Sequence, residues 1–259
     1  MFIKQFGVGP RIFFGLHGWS GDHRTFEPLA RHVPADATLL ACDLPGIGQS
    51  EPLSQWSMNS VAGEVADAIY RIGQPVTVIG NCSGANIAFF VARMIPERIE
   101  RLVTIDVFAY WPWYFRVFVN RWIGRYAYFS TFANPMGRWL TNLSLSSKRS
   151  ESSTLTGGFS RVDHRVTYRY LTLLKDSGTV EQFRDLKIAC DLAYGENSFA
   201  AARESALALA AMWPGSRTFA LPAAGHLPIV EASAALAQII FCSQQREIPC
   251  PIPATHCAN

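Results

Sequence analysis

The amino-acid sequence predicts an α/β protein with a mostly parallel, doubly wound sheet. Six short runs are apolar on both faces, as expected for strands that are covered by helices on both sides. Helix-length segments with helical apolar spacing lie between several of these runs, which is the rhythm of βαβ units. The chain has 259 residues, of which 49% are apolar and only 17% charged, so it can bury an ample core.

The order of these segments suggests a core that an insert interrupts. The candidate strands are residues 11–16, 37–42, 75–80, 101–107, 188–194 and 217–222, and the candidate helices are 23–33, 57–72, 84–95 and 227–244. No good core strand appears from residue 108 to about 182. We therefore predict a core of residues 1–107 and 183–244, a helical insert of residues 108–182, and a Pro-rich, loosely attached tail of residues 245–259.

The composition of the insert suggests a lid over a binding site. Residues 108–132 include 12 aromatic side chains, and residues 107–150 contain six basic residues and no acidic one. Aromatic residues can line a narrow apolar channel, and arginines can dock an acidic carrier protein or a phosphate. The predicted channel residues are Trp111, Trp113, Phe115, Phe118 and Trp122, and the predicted docking residues are Arg116, Arg121 and Arg125. Packing of the aromatics onto the core with solvated arginines, or contact with a lipid surface, are the alternatives.

The segment GNCSGAN (80–86) has the Gly-x-nucleophile-x-Gly spacing of a nucleophile elbow, with Cys82 in the middle. Glycines on both sides of a strand-to-helix turn allow the middle residue to take strained backbone angles and project above the sheet. The next N–H, that of Ser83, then lies at a helix N-terminus, where it can stabilise a developing oxyanion. Ser83 itself is a weaker candidate nucleophile, because it is one position out of register.

Two further segments supply candidate partners for Cys82. In LHGWSGD (16–22), the His-Gly turn can direct the N–H of Trp19 toward the elbow as a second oxyanion donor, with His17 as scaffold. In PAAGHLPIVEASAAL (222–236), His226 follows the last strand and precedes a helix, which suits a general base. The other histidines lie in weaker contexts.

These segments, together with DLPGIGQS (43–50), resemble the α/β-hydrolase superfamily in content and in order along the chain. The resemblance implies an α/β-hydrolase fold, a nucleophile at Cys82 and a base at His226. In DLPGIGQS, it implies that Asp43 and the two glycines shape a loop near the site and take no part in the chemistry. It indicates the fold much more specifically than the substrate, and the implied chemistry needs no metal or cofactor.

The position of the triad acid departs from the commoner family pattern. In that pattern the acid follows the strand that here reads LAYGENSF, at a position occupied by Ser198, which cannot carry a negative charge. The other family position follows the strand after the elbow helix, and Asp106 ends that strand. We therefore expect Asp106 to be the acid, with Glu196 as the alternative, and we interpret Asp191 as a satisfied buried carboxylate.

A cysteine nucleophile points to thioester substrates. A thiolate exchanges readily with a thioester, whereas expelling alkoxide from the tetrahedral intermediate competes badly with expelling the thiolate. The resemblance brings thioesterases of acyl carrier proteins and Dieckmann-type cyclases to mind. We expect a thioesterase acting on a fatty- or polyketide-like acyl chain bound to acyl carrier protein or coenzyme A. The alternatives are an acyltransferase or cyclase and a non-catalytic binding protein.

The net charge and the cysteines of the sequence predict the type of partner and the cellular compartment. A net charge of +3 does not suggest a nucleic-acid partner. The six cysteines are scattered, and the first ten residues lack the apolar segment and cleavage site of a signal peptide. We expect free thiols in a reducing cytoplasm, no transmembrane helix, and at most peripheral contact with a membrane.

Overall fold

The structure, a computed structural model, describes residues 1–150 and 153–242. The predicted tail of residues 245–259 lies outside the described residues. Within them, seven strands form one sheet in the order β1-β3-β2-β4-β5-β6-β7. The strands are β1 Ile3–Gly7, β2 Arg11–Leu16, β3 Ala37–Cys42, β4 Val76–Asn81, β5 Ile99–Ile105, β6 Ala189–Gly195 and β7 Arg217–Leu221. Each neighbouring pair is parallel except β1 with β3.

All six predicted strands are present to within two residues at each end, and β1 is the strand that the sequence analysis missed. Strand β1 is an edge strand whose Lys4 and Gln5 are exposed, so it lacks the continuous apolar run of a strand covered on both faces. The inner strands place neighbouring residues in different cores. Phe14 and Leu102 pack on one side of the sheet, and Phe13 and Val103 pack on the other.

The helices of the described residues are mostly short. They are α1 Glu27–Ala30, α2 Met58–Tyr70, α3 Ser83–Met94, α4 Gly124–Tyr128, α5 Pro135–Ser144, α6 His164–Asp176, α7 Ala200–Met212, α8 Pro228–Glu231 and α9 Ser233–Ala237. The predictions for 57–72 and 84–95 match α2 and α3. The predicted helix 23–33 is a 3-10 turn followed by α1, and the predicted helix 227–244 begins as the two short helices α8 and α9. Helix α7 was not predicted, because its alanine-rich sequence carries little apolar contrast between its faces.

The insert of residues 108–182 contains α4, α5 and α6 and, among its described residues, no strand. It has a small core of its own, made by Tyr128, Phe132, Phe159 and Leu171. Trp19 from the loop after β2 packs against this cluster, so the insert is attached to the core beside that loop.

The register of the parallel strands brings the ends of β4, β5 and β6 together. Asn81 pairs with Ile105, and Ile105 pairs with Ala193. The residues that follow these strands therefore emerge side by side at the carboxyl edge of the sheet, where open α/β sheets bind ligands.

Candidate active site

Cys82 lies at the sharp turn between β4 and α3. Its backbone has φ 51° and ψ −118°, a conformation that is rare for a residue with a side chain. The flanking glycines are required by contact: a Cβ at Gly80 would lie 2.3 Å from Ala85 Cα, and one at Gly84 would lie 2.3 Å from Leu16 O. The Cys82 N–H donates to Ile105 O at 2.7 Å, which fixes the turn to the end of β5. The local geometry is therefore that of a nucleophile elbow.

Asp106 directly follows β5 and is also in the left-handed region, with φ 49°. Its side chain is almost completely buried. Its Oδ1 accepts a hydrogen bond from Gly195 N at 3.0 Å, and its Oδ2 accepts one from Ser198 Oγ at 2.7 Å. Oδ2 also lies 3.0 Å from His226 Nδ1. Both carboxylate oxygens thus have partners, as a buried carboxylate requires.

His226 is brought from the loop after β7 to a position between Asp106 and Cys82. Burial alone would lower the pKa of its imidazole. The hydrogen bond with Asp106 and the interaction with Cys82 outweigh burial and raise its pKa to about 10. At neutral pH the ring is therefore held as imidazolium. Of the three residues predicted as nucleophile, base and acid, His226 and Asp106 are in direct contact, and Cys82 lines the same cavity as His226.

Ser198 lies at the commoner acid position and joins the same hydrogen-bond network. Its hydroxyl donates to Asp106 Oδ2 and lies 3.2 Å from His226 Nδ1. A serine cannot supply a negative charge at this position, and the sequence alone indicates no role for Ser198. Glu196, the alternative acid, is exposed, and within the described residues no hydrogen bond joins its carboxylate to His226. Of the two candidate acids, only Asp106 contacts the imidazole.

The end of the insert fixes the loop that carries His226. The His226 N–H donates to Lys148 O at 2.8 Å. Glu231 Oε2 accepts from Gly225 N at 2.5 Å, and Glu231 Oε1 accepts from Ser150 N at 2.7 Å and Ser153 Oγ at 2.5 Å. The sequence alone did not indicate this role for Glu231, although the residue lies within the quoted segment PAAGHLPIVEASAAL. These partners are about 80 residues apart, so no local pattern could reveal them.

The loop after β2 packs directly on the elbow. A Cβ at Gly18 would lie 3.2 Å from Cys82 Cβ, so only glycine permits this approach without displacement. His17 Nε2 accepts from Leu44 N at 3.1 Å, and its Nδ1 donates to Gly18 O at 2.8 Å. Burial lowers the pKa of His17, which favours this neutral tautomer. The His17 side chain is thus a scaffold of the loop.

The two predicted oxyanion donors belong to segments that border one cavity. Ser83 is the first residue of α3, so its N–H has no acceptor within that helix. The Trp19 side chain is held by a hydrogen bond from Nε1 to Thr167 O at 2.9 Å, and Trp19 and Cys82 both line the cavity. The assignment of both backbone N–H groups as oxyanion donors stays a prediction.

The cavity has a volume of about 920 Å³ and extends from Cys82 and His226 under the insert. Phe108 and Phe199 shield the His226 ring, with ring centroids 5.4 and 4.9 Å away. Of the predicted channel residues, Phe115 and Phe118 line the cavity. Trp111 packs against Phe115 but does not line the cavity. Trp113 and Trp122 are 75% and 72% exposed, so the expectation that they line the channel is corrected: these two indoles lie on the outer surface of the insert.

Tyr114 adds a polar group to this aromatic wall. It lines the cavity, and its hydroxyl is buried without a hydrogen-bond partner among the described residues. Burial, followed by the charges of Tyr110 and Cys82, raises its pKa to about 12. Tyr114 therefore stays a neutral phenol that can donate a hydrogen bond to a bound molecule.

The predicted docking arginines Arg116, Arg121 and Arg125 are exposed on the insert. In the part of the chain that the structure describes, none of them forms an ion pair. Arg121 lies over the Trp122 ring at 4.3 Å and Arg125 lies over the Phe129 ring at 5.7 Å, so the docking role of the three arginines stays a prediction.

Two other groups of titratable residues have structural roles. Asp22, His23 and Asp43 have ligand atoms within 4.8 Å of one another, as a metal site would. However, Asp43 accepts from His23 N at 2.7 Å and Gln49 N at 2.9 Å, and Asp22 pairs with Arg24. These contacts shape the loops. The buried Asp191 is paired with Arg217 at 2.7 Å and with Arg101 at 3.2 Å.

Comparison with known proteins shows the family to which this chain belongs. A sequence model described as "Alpha/beta hydrolase family" matches residues 13–239. Among solved structures, a hydrolase from Pseudomonas aeruginosa PA01 superposes with a TM-score of 0.78 at 15% identity, over 94% of each chain. At this identity the likeness shows the fold alone, and it confirms the α/β-hydrolase fold that the sequence motifs predicted.

Curated relatives carry more specific names. A pimeloyl-[acyl-carrier protein] methyl ester esterase of Yersinia enterocolitica is 22% identical over 246 residues, which are 87% of this chain and 90% of the relative. The corresponding esterase of Methylococcus capsulatus is 31% identical over 105 residues, 40% of each chain. A probable serine hydrolase of Drosophila melanogaster is 32% identical over 97 residues, 36% of this chain and 29% of the relative. In the last two matches the chain spans less than half of the relative's length, and the names describe esterases and serine hydrolases, which leaves the cysteine-nucleophile branch a prediction.

No helix in the described residues combines the length and the apolar character needed to cross a membrane.

Proposed function

Because the chain belongs to the alpha/beta hydrolase family, we propose that it hydrolyses an acyl thioester with Cys82 as nucleophile, His226 as base and acid, and Asp106 as the carboxylate that orients His226. The observation that carries the proposal is the position of His226: its Nδ1 lies 3.0 Å from Asp106 Oδ2, and its ring lines the same cavity as Cys82, which helps to raise the pKa of His226. A histidine that can take the proton of a neighbouring cysteine activates that cysteine as a nucleophile.

The proposed reaction has two steps. The Cys82 sulfur attacks the acyl carbon, the C–S bond to the leaving group breaks, and His226 protonates the departing thiolate. A water molecule then gives a proton to His226 and attacks the acyl-enzyme, and the proton returns to the Cys82 sulfur as the acid leaves. The N–H groups of Trp19 and Ser83 stabilise the oxyanion of both tetrahedral intermediates.

The cavity supports an acyl chain as the substrate's hydrophobic part. Phe115 and Phe118 form part of an aromatic wall above Cys82, and the volume of about 920 Å³ is in the range that holds a medium-sized organic ligand. The unpaired Tyr114 hydroxyl offers one polar contact to an oxygenated chain. We further propose that this insert is a lid over the acyl group.

The leaving group is proposed to be acyl carrier protein or coenzyme A. Relatives named for an acyl-carrier-protein methyl ester support an acyl group tethered to a carrier. The exposed Arg116, Arg121 and Arg125 would pair with carboxylates of the carrier or with phosphates. The proposal needs Cys82 as a free thiol, which agrees with a reducing, cytoplasmic location.

The test compares a medium-chain acyl-CoA with the methyl ester of the same acid on the wild-type protein and on Cys82→Ser and Cys82→Ala. We expect faster turnover of the thioester, an acyl mass adduct on Cys82, and no turnover by Cys82→Ala. Cys82→Ser should lose more activity on the thioester than on the ester. With a serine nucleophile, the methoxide of the ester competes with another alkoxide and no longer with a better-leaving thiolate, so ester hydrolysis is partly compensated. Preference of the wild-type protein for the methyl ester would reject the thioesterase proposal in favour of an ester hydrolase.

A second candidate is an acyltransferase or Dieckmann-type cyclase, in which the acyl-enzyme reacts with a nucleophile other than water. The aromatic enclosure of His226 by Phe108 and Phe199 favours it, because it limits the access of water to the base. The released product distinguishes the two: free acid supports hydrolysis, and an amide, ester or ring supports transfer. If no acyl adduct forms on Cys82, and Cys82→Ala behaves as the wild-type protein does toward both substrates, the result would instead support a non-catalytic binding protein.

A further inference from the structure

Helix α5 exposes its apolar face to solvent. Met136, Trp139, Leu140 and Leu143 follow the i, i+3, i+4, i+7 spacing of one helix face. They are 62%, 59%, 53% and 58% exposed, and no residue of α5 is buried. A face with this spacing is normally turned toward the core, so its outward direction requires an explanation.

The opposite side of α5 has a role of its own. Thr141 and Ser144 line the cavity that reaches Cys82, as does Leu145 directly after the helix. The helix therefore separates the cavity from the exterior with its more polar side inward. Among the described residues, nothing covers the apolar side.

The preceding part of the insert adds exposed aromatic and basic side chains. Trp122, Ile123 and Tyr126 are exposed, and the Arg121 guanidinium lies 4.3 Å from the centre of the Trp122 ring. No acidic residue occurs from position 107 to position 150. The exterior of this segment is thus apolar, aromatic and positively charged.

We infer that the apolar face of α5 and the exposed residues 122–126 bind the surface of an anionic lipid bilayer. Leucine and methionine side chains enter the boundary between headgroups and acyl chains, tryptophan and tyrosine lie at the headgroups, and arginines meet lipid phosphates. A second copy of the chain fits less well, because it would bring two segments without acidic residues together. An acidic carrier protein would pair with the arginines but would leave the leucines of α5 uncovered.

The experiment measures co-sedimentation of the full chain with vesicles of phosphatidylcholine alone or of an equimolar mixture with phosphatidylglycerol. We expect binding to the mixed vesicles and much weaker binding to phosphatidylcholine. Leu143→Asp and Leu140→Asp should each weaken vesicle binding about tenfold, because each removes one leucine side chain that the bilayer would bury. The matched control is Leu207→Asp on α7, which is 57% exposed and adds the same charge elsewhere; it should bind as the wild type does.

Three outcomes of the vesicle experiment would overturn the inference. The first is no binding of the wild type to the mixed vesicles. The second is an equal effect of Leu143→Asp and Leu207→Asp. The third is equal binding to phosphatidylcholine alone and to the mixed vesicles, which would mean that the arginines make no contact with anionic headgroups. Self-association that Leu143→Asp abolishes, measured by light scattering without vesicles, would assign the face to a second copy.

Lipid binding is independent of the proposed reaction. Cys82→Ala should bind vesicles as the wild type does, and Leu143→Asp should hydrolyse a short soluble thioester at the wild-type rate, since Leu143 does not line the cavity. The experiments therefore distinguish a failure of the lipid-binding proposal from a failure of the proposed hydrolysis.

Discussion

The loops after the neighbouring strands β5 and β6 both reach His226, but they offer it different groups. The loop after β5 presents the Asp106 carboxylate, and the loop after β6 presents the Ser198 hydroxyl. The hydroxyl donates to the same Oδ2 that faces His226 Nδ1. The comparison indicates that a carboxylate beside the imidazole can come from either strand end, because parallel strands in register deliver both loops to the same place.

Replacing Asp106 with Asn should have the largest effect on this pair. The imidazolium would lose its buried negative partner, and its tautomer would no longer be fixed, so kcat for an acyl thioester should fall about 10³- to 10⁴-fold. Steady-state kinetics measure this loss, and circular dichroism with thermal unfolding confirms that the variant is folded. A loss of less than tenfold would mean that the acid is not Asp106.

Moving the carboxylate to the neighbouring loop tests whether the two positions are interchangeable. In the double variant Asp106→Asn/Ser198→Asp, a carboxylate returns to within reach of His226 Nδ1, which lies 3.2 Å from the present Ser198 Oγ. We expect kcat to recover about tenfold or more over Asp106→Asn alone. No recovery in the folded double variant would contradict the equivalence of the two strand ends.

Ser198→Ala should have a smaller effect. Asp106 would keep its bonds to Gly195 N and His226 but lose a buried hydroxyl donor at 2.7 Å. Loss of such a bond to a charged group costs about 1.5–3 kcal/mol, and we expect kcat to fall about tenfold with KM unchanged. Ser198→Cys or Ser198→Thr serves as the conservative comparison, and an unchanged kcat in Ser198→Ala would exclude a positioning role.

The pH dependence of stability should report on Asp106. The folded pKa of His226 is raised from 6.5 to about 10, so its contribution to the free energy of unfolding is complete below pH 6.5 and is lost as pH rises toward 10. Urea unfolding from pH 6 to pH 10 measures this decline. In Asp106→Asn the decline should end at a lower pH, because one of the groups that raise the pKa is gone. Identical curves for the two proteins would contradict the pairing.

Glu196→Gln is the control with the smallest expected effect. The carboxylate is exposed in the same loop as Ser198 and has no hydrogen bond to His226 within the described residues. We expect kcat/KM to change less than about twofold. A loss comparable to that of Asp106→Asn would reverse the assignment of the acid.

Local sequence was sufficient to predict much of the fold and the candidate site. The five inner strands were recognisable as continuous apolar runs because both faces of the sheet are covered. The edge strand β7 was also predicted, whereas the edge strand β1, with Lys4 and Gln5 exposed, was not. Cys82 is marked by glycines that its turn requires, since a Cβ at Gly80 or Gly84 would collide with backbone atoms. His226 and Asp106 are marked by their places after strands.

Other features of the site depend on residues that are distant in sequence. The support of the His226 loop by Glu231, Ser150 and Ser153 joins positions about 80 residues apart. The composition of the insert predicted aromatic contacts but not their direction. Phe118 faces the cavity and Trp122 faces outward, although both belong to one aromatic run.

The sequence by itself determined the layered α/β core and the elbow at Cys82, because apolar periodicity and glycine spacing are local consequences of strand burial and backbone sterics. Only the tertiary structure decided that Asp106 rather than Glu196 contacts His226, that Ser198 bridges the two, and that the apolar face of α5 points away from the core. These outcomes depend on which side chains meet across the ends of parallel strands and across the insert, and a one-dimensional pattern does not contain those distances.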